Sequence, residues 1–146
     1  MKAYAKVVLV TMPVLVAPSV CGAEQSVICP TEISQASIKL TGVPPQWTPY
    51  VASPLYLFSA GAAAGPPEQL ATLMGDSTWK KGASEWTTTY DLNDASFSAG
   101  KWMECRYGEY GQVVLSRQLD AKTNSCTVQF SKGEKAGQRT LKIICQ

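Results

Sequence analysis

The positions of the cysteines limit the possible folds of this chain more than any other feature of its sequence. Beyond Cys21, four cysteines remain, and they are Cys29, Cys105, Cys126 and Cys145. Their spacings of 76, 21 and 19 residues include none of the close pairs that four-thiolate zinc sites use. Because an even number of cysteines in an exported domain indicates a disulfide framework, we expect two disulfides, each contributing about 2–4 kcal/mol to the free energy of unfolding.

The start of the chain has the three-part layout of a secretory signal peptide. Residues 1–6 carry positive charge, residues 7–20 form an apolar run, and residues 21–23 read Cys-Gly-Ala. We predict cleavage after Ala23. A single domain of residues 24–146 would then fold in an oxidising compartment.

Two other interpretations of this segment are weaker. A membrane anchor is disfavoured because Pro13 and Pro18 interrupt the apolar run, which is also shorter than the roughly 18 to 20 apolar residues that a spanning helix requires. Lipid attachment at Cys21 is disfavoured because Val20, directly ahead of it, is not a small residue. We therefore expect no membrane contact after cleavage.

The charge of the mature domain excludes one class of partner. Cleavage removes Lys2 and Lys6 but no acidic residue, so the basic and acidic residues that remain are equal in number. The basic residues are scattered along the chain and form no stripe. A domain without net charge or a basic stripe creates no electrostatic field that attracts nucleic acid or an anionic membrane surface.

The C-terminal part of the chain is a series of predicted strands. They cover residues 101–107, 113–119, 125–131 and 139–145, and loops rich in glycine or polar residues separate them. In the first of these strands Met103, Cys105 and Tyr107 share one face, because side chains alternate along a strand. The pattern predicts an antiparallel meander with one buried side.

The N-terminal half is less regular but is also compatible with strands. Strands are expected within residues 32–40, 50–59 and 84–92, whereas residues 61–67 read as a loop of small residues. Pro66 and Pro67 can begin a short helical turn that continues through Leu73. The predicted fold is mainly β, or α+β with this one short helix. It is an antiparallel sheet or sandwich with two disulfides.

The sequence leaves the pairing of the four cysteines open. A symmetric hairpin across residues 132–137 would place Cys126 opposite Cys145. Cys29 could equally join Cys145 at the chain ends and leave Cys105 to bond Cys126. Four cysteines allow three pairings in all, and spacing alone does not choose among them.

The absence of histidine removes several kinds of catalytic site at once. Without histidine the chain cannot build a serine–histidine or cysteine–histidine pair, nor a histidine-ligated zinc site. A carboxylate pair could still cleave a glycoside, and Glu104 with Glu109, or Asp91 with Asp94, are the conceivable pairs. Solvated acids on strands and turns are the simpler interpretation. We expect no enzymatic activity, cofactor or metal.

The sequence resembles a family of small exported four-cysteine proteins of Gram-negative bacteria, over nearly the whole mature chain. The resemblance is carried by Cys29-Pro30, Pro45-Gln-Trp47, Gly65-Pro-Pro-Glu68, Trp86, Trp102-x-x-Cys105-x-Tyr107, Leu115-x-Arg117-x-Leu119, Cys126-x-Val128-x-Phe130 and Cys145. That family is similar to proteins encoded beside type VI secretion effectors of the peptidoglycan-attacking, L,D-transpeptidase-like class. The resemblance implies a periplasmic immunity protein that binds and inhibits such an effector.

The expected contact residues lie in two projecting loops and on one strand face, since aromatic and arginine side chains are frequent hot spots. They are Gly65, Pro66, Pro67, Glu68, Trp102, Arg106, Tyr107 and Tyr110. Two alternatives stay open at this point. An envelope-assembly subunit would associate through an open strand edge, and a glycan-active enzyme would depend on its carboxylates.

Overall fold

The computed structural model describes residues 24–79, 82, 84–93 and 97–146, and this part of the chain is built from short antiparallel strands. The strands are β1 (Gln25–Val27), β2 (Glu32–Ile33), β3 (Leu55–Ala63), β4 (Asp76–Trp79), β5 (Trp86–Asp91), β6 (Trp102–Tyr107), β7 (Val113–Gln118), β8 (Ser125–Lys132) and β9 (Arg139–Cys145). Two 3-10 helices cover Gln35–Ser37 and Pro67–Gln69. The prediction of a mainly β fold with two disulfides is confirmed.

The strands form two sheets that share a core. The first sheet has the order β1-β9-β8-β5-β4, and the second sheet has the order β2-β3-β6-β7. Ala62 and Met103 of the second sheet belong to the same buried cluster as Val128 and Ile143 of the first. Burial of these side chains between the sheets is the main source of stability, because apolar area removed from water contributes about 25 cal/mol per Å².

The four C-terminal strands form where the alternation predicted them, but they do not make one meander. β6 and β7 pair within the second sheet, whereas β8 and β9 pair within the first. The chain crosses between the sheets through residues 119–124. Alternation shows which side chains are buried, yet it carries no information about which sheet receives a strand.

The N-terminal half differs from the prediction mainly in β3. This strand continues through Gly61, Ala62 and Ala63, which were expected in a loop. Small side chains suit this position because another layer lies close: a Cβ on Gly61 would stand 3.0 Å from the hydroxyl of Tyr90. The strand expected over residues 32–40 is limited to Glu32–Ile33.

Other short elements also differ from the sequence interpretation. The helical turn expected through Leu73 is a 3-10 helix that covers only Pro67–Gln69. β1 and β4 were not predicted, since strands of three and four residues are too short for a clear alternation.

The structure resolves the pairing of the cysteines. Cys126 and Cys145 are direct cross-strand partners in β8 and β9, with 4.1 Å between their Cα atoms, and they form one disulfide. Cys29 bonds Cys105 of β6, with 5.8 Å between the Cα atoms. The alternative in which Cys29 joins Cys145 is therefore wrong. The Cys29–Cys105 bond ties the segment between β1 and β2 to the second sheet.

Some sequence predictions concern residues outside the described ranges. The predicted signal peptide, residues 1–23, and the acidic residue Asp94 both lie there. Among the helices of the described part of the chain, none is long and apolar enough to cross a membrane.

Candidate protein-contact surface

The two faces of β6 have different roles. Met103, Cys105 and Tyr107 are buried on the face that points into the core, as the alternation predicts. Trp102, Glu104 and Arg106 alternate with them along the strand and so lie on its opposite side. We call this opposite side the outer face of β6.

A charged pair lies at the centre of the outer face. The Nη2 atom of Arg106 donates to Oε2 of Glu104 over 2.6 Å and to the hydroxyl of Thr72 over 2.9 Å. Glu104 is only 4% exposed, so its carboxylate depends on this arginine for compensation of its charge. The pair fixes the arginine side chain in one orientation at the surface.

Tyr90 reaches the same place from the first sheet. The position that a Cβ would take on Gly61 lies 3.0 Å from the Tyr90 hydroxyl and 3.7 Å from Nη1 of Arg106, so both side chains meet above this glycine. Burial raises the pKa of Tyr90, and the positive charge of Arg106 offsets part of that increase. The phenol is therefore a neutral neighbour of the charged pair.

A loop projects beside this charged pair, between β3 and β4. We call residues 64–75 the Leu70 loop. Its Pro67–Gln69 turn is followed by Leu70, which adopts a left-handed backbone conformation with φ 51° and is 85% exposed. Met74, near the end of the loop, is fully exposed. Two large apolar side chains thus face solvent next to the charged pair, because Thr72 between them contacts Arg106.

Trp102 joins the base of this loop to β6. Its indole Nε1 donates to the carbonyl of Ala99 over 3.0 Å. A Cβ on Gly65 would stand 3.3 Å from the Cβ of Ala99, so the start of the Leu70 loop packs against the same residue. The tryptophan is therefore partly covered and supports the loop at its root.

The turn between β6 and β7 covers the other end of the outer face. Gly111 lies against Arg106, since a Cβ at this glycine would stand 3.6 Å from both Cβ and Cδ of the arginine. Tyr110, next to it in the turn, is 85% exposed. An aromatic side chain is thus presented to solvent beside the charged pair.

Most of the predicted contact residues therefore lie on one connected surface. They are Pro66, Pro67, Glu68, Trp102, Arg106 and Tyr110. Gly65 and Tyr107 are the exceptions because both are buried. The side chain of Tyr107 lies in the core, so its assignment to the interface is wrong. Leu70 and Met74 were missed. Leu70 is exposed in a left-handed backbone conformation that apolar residues seldom adopt, and no sequence pattern predicts this.

Of the acidic residues considered for glycoside cleavage, Asp91, Glu104 and Glu109 lie in the described part of the chain. Glu104 is buried against Arg106, and Glu109 is exposed in the turn after β6. Asp91 accepts hydrogen bonds from the backbone and side-chain nitrogens of Asn93 at 3.0 Å. Within the described residues, no group of three or more potential ligands could hold a metal ion.

A second exposed patch lies near the N-terminus of the described part. Leu40 and Tyr50 border a shallow groove of about 690 Å³, together with Ile38 and Val51. Both Leu40 and Tyr50 are more than half exposed. Among the described contacts, none connects this groove to the outer face of β6. Because the groove also exposes apolar and aromatic side chains, it can serve as a control surface.

Comparison with known proteins matches the segment that contains the outer face of β6. A family model described as Type VI secretion system Tli immunity protein matches residues 52–146. This segment contains β3 to β9 and the whole outer face of β6, whereas all the groove residues named above precede it. No curated protein and no solved structure matches the chain.

Proposed function

The chain belongs to the Tli immunity protein family of type VI secretion systems, and on that basis we propose that it binds and neutralises a cell-wall-targeting effector enzyme in the periplasm. Immunity proteins act by binding effector proteins, so the partner of this chain is a protein. The family match is the observation that carries the proposal.

Three features support the finer parts of the proposal. Two disulfides suit an oxidising compartment such as the periplasm. The resemblance to proteins encoded beside peptidoglycan-attacking effectors supports the cell wall as the effector's target. The outer face of β6, with the exposed Leu70 and Tyr110 around a fixed arginine, has the aromatic, apolar and arginine groups that are enriched at protein interfaces.

In this proposal the chain protects by binding alone and catalyses no reaction. Its scaffold is tied by the Cys29–Cys105 and Cys126–Cys145 bonds, so loops presented on it lose little conformational freedom when they bind. The carboxylate of Glu104 serves the charged pair and takes no part in bond cleavage.

Co-production of the full chain and a type VI effector of the same strain tests the proposal. The effector is exported to the periplasm of a sensitive host, with and without the full chain, and growth and released peptidoglycan fragments are measured. We expect the chain to restore growth and to suppress fragment release. An effector variant without its catalytic nucleophile is the control for toxicity.

Three outcomes would contradict different parts of the proposal. No protection and no complex would overturn the immunity function for that effector. Protection against an effector that leaves peptidoglycan intact would overturn only the cell-wall target. Large assemblies that form through a strand edge, with no effector bound, would favour an envelope-assembly subunit.

A further inference from the structure

We propose that the Leu70 loop is the main contact of the immunity complex and that Leu70 inserts into a concave, uncharged apolar pocket of the effector. This inference rests on the proposed immunity function and specifies which element performs it. The loop lies within the segment that the family model matches.

The backbone at Leu70 is the first argument. Its φ of 51° lies in the left-handed region, which favours glycine and, among other residues, asparagine or aspartate. A leucine there gains little from packing, since it is 85% exposed. Sparsely populated conformations that persist without a folding benefit are found at binding and catalytic sites. The folded domain alone therefore does not account for this residue.

The rigidity of the loop is the second argument. The amide of Leu70 donates to the carbonyl of Pro67 over 3.1 Å, and the amide of Ala64 donates to the carbonyl of Ala71 over 2.9 Å. Leu73 packs against the core and anchors the end of the loop. Pro66 and Pro67 fix their own φ angles. A loop held in this way presents its tip at a small entropic cost on binding.

The chemistry of the loop identifies the kind of pocket. Residues 64–75 contain one charged side chain, Glu68, and two strongly exposed apolar ones, Leu70 and Met74. Because the tip projects from the surface, the complementary site is concave. Leucine and methionine gain from burial only where the pocket is apolar and leaves no polar group unpaired.

The charged pair beside the loop helps to define its orientation. Thr72 follows Leu70 by two residues and accepts a hydrogen bond from Arg106, while Ala63 and Thr72 form an isolated β-bridge. The loop is thereby attached both to β3 and to the outer face of β6. A partner that accepts Leu70 would meet Tyr110 and Arg106 at the edge of the same contact.

The substitution Leu70→Asn separates binding from stability. Asparagine tolerates the left-handed conformation better than leucine does, so we expect a thermal midpoint equal to or above that of the wild type. Loss of the apolar side chain should weaken effector binding at least 30-fold, the size typical of an interface hot spot. The proteins are purified from the periplasm after export and titrated with the effector of the same strain.

Leu40→Asn is the matched control, because Leu40 is also an exposed leucine but borders the groove outside the matched segment. It should bind as the wild type does. Wild-type affinity in Leu70→Asn, or equal weakening in both variants, would overturn this inference while leaving the immunity function intact. If the wild type itself does not bind, the proposed function fails.

Discussion

Glu104 and Arg106 lie two residues apart on the outer face of β6 and form an ion pair, with 2.6 Å between Oε2 and Nη2. Three quarters of the arginine side chain and nearly all of the glutamate side chain are shielded from solvent. Removing one partner from such a pair leaves a buried charge uncompensated, whereas removing both does not.

The ion pair predicts a strongly non-additive effect on stability. Arg106→Ala should lower the free energy of unfolding by about 2 kcal/mol, because the carboxylate of Glu104 then remains buried without its partner. The double variant Glu104→Ala, Arg106→Ala should be less destabilised than the sum of the single variants. Urea unfolding measures all four proteins, and additive effects would show that the two side chains are not coupled.

The raised pKa of Tyr107 predicts that the free energy of unfolding changes with pH above pH 10. Burial raises the pKa of its phenol to about 12, so an unfolded chain ionises this tyrosine before the folded one does. Stability should therefore fall as pH rises from 10 towards 12, by about 1 kcal/mol at pH 11. Tyr107→Phe should lack this share of the loss, whereas the loss from Tyr90, whose pKa burial also raises, should remain.

The same substitution should be harmless at neutral pH. The Tyr107 hydroxyl is buried and has no hydrogen-bond partner among the described residues, so its removal should leave the free energy of unfolding unchanged or raise it by about 1 kcal/mol. Urea unfolding at pH 7 and pH 11 compares the two proteins. Parallel pH profiles for wild type and variant would contradict the assignment of the high pKa to Tyr107.

The two disulfides should contribute unequally to stability. Cys29 and Cys105 are separated by 76 residues, and Cys126 and Cys145 by 19. Closing the longer loop restricts the unfolded chain more, so replacing Cys29 and Cys105 by alanine should cost about 4 kcal/mol and replacing Cys126 and Cys145 about 3 kcal/mol. Urea unfolding ranks the variants. Peptide mapping without reductant should recover these two linkages, and any other linkage would refute the structure's pairing.

Tyr110 should affect binding without affecting the fold. Its side chain is 85% exposed in the turn beside Arg106, so Tyr110→Ala should leave the thermal midpoint unchanged and weaken effector binding about tenfold. Tyr50→Ala is the matched control on the groove near the N-terminus. A stronger effect from Tyr50 than from Tyr110 would move the contact surface to that groove.

The sequence predicts the strands that have one buried side, and its failures have physical causes. The bounds of β6 to β9 were predicted within about one residue, and the inward residues of β6 were predicted correctly. Gly61, Ala62 and Ala63 were assigned to a loop because small residues carry no strand signal, although the close approach of Tyr90 favours the absence of a side chain at Gly61. The division of the hairpins between two sheets depends on long-range packing that alternation does not encode.

The candidate contact surface was predictable only in part. The sequence shows that Pro66 and Pro67 belong to a turn. It also shows that Trp102 and Arg106 lie on the side of β6 that faces away from the core. Leu70 was not predictable, since no sequence pattern shows that an exposed leucine with a left-handed backbone ends the 3-10 turn. Tyr107 was predicted both to face the core from β6 and to belong to the interface. The structure agrees with the first prediction, which came from the alternation of side chains along the strand.

The central claim is that this chain neutralises an effector by binding it, and a calorimetric titration tests it most directly. The exported wild-type protein is titrated into the cell-wall-active type VI effector of the same strain, and effector activity is followed at each ratio. We predict a one-to-one complex with a sub-micromolar dissociation constant and complete loss of activity at equivalence. Undiminished activity at a large excess of the protein, with no heat of binding, would contradict the claim.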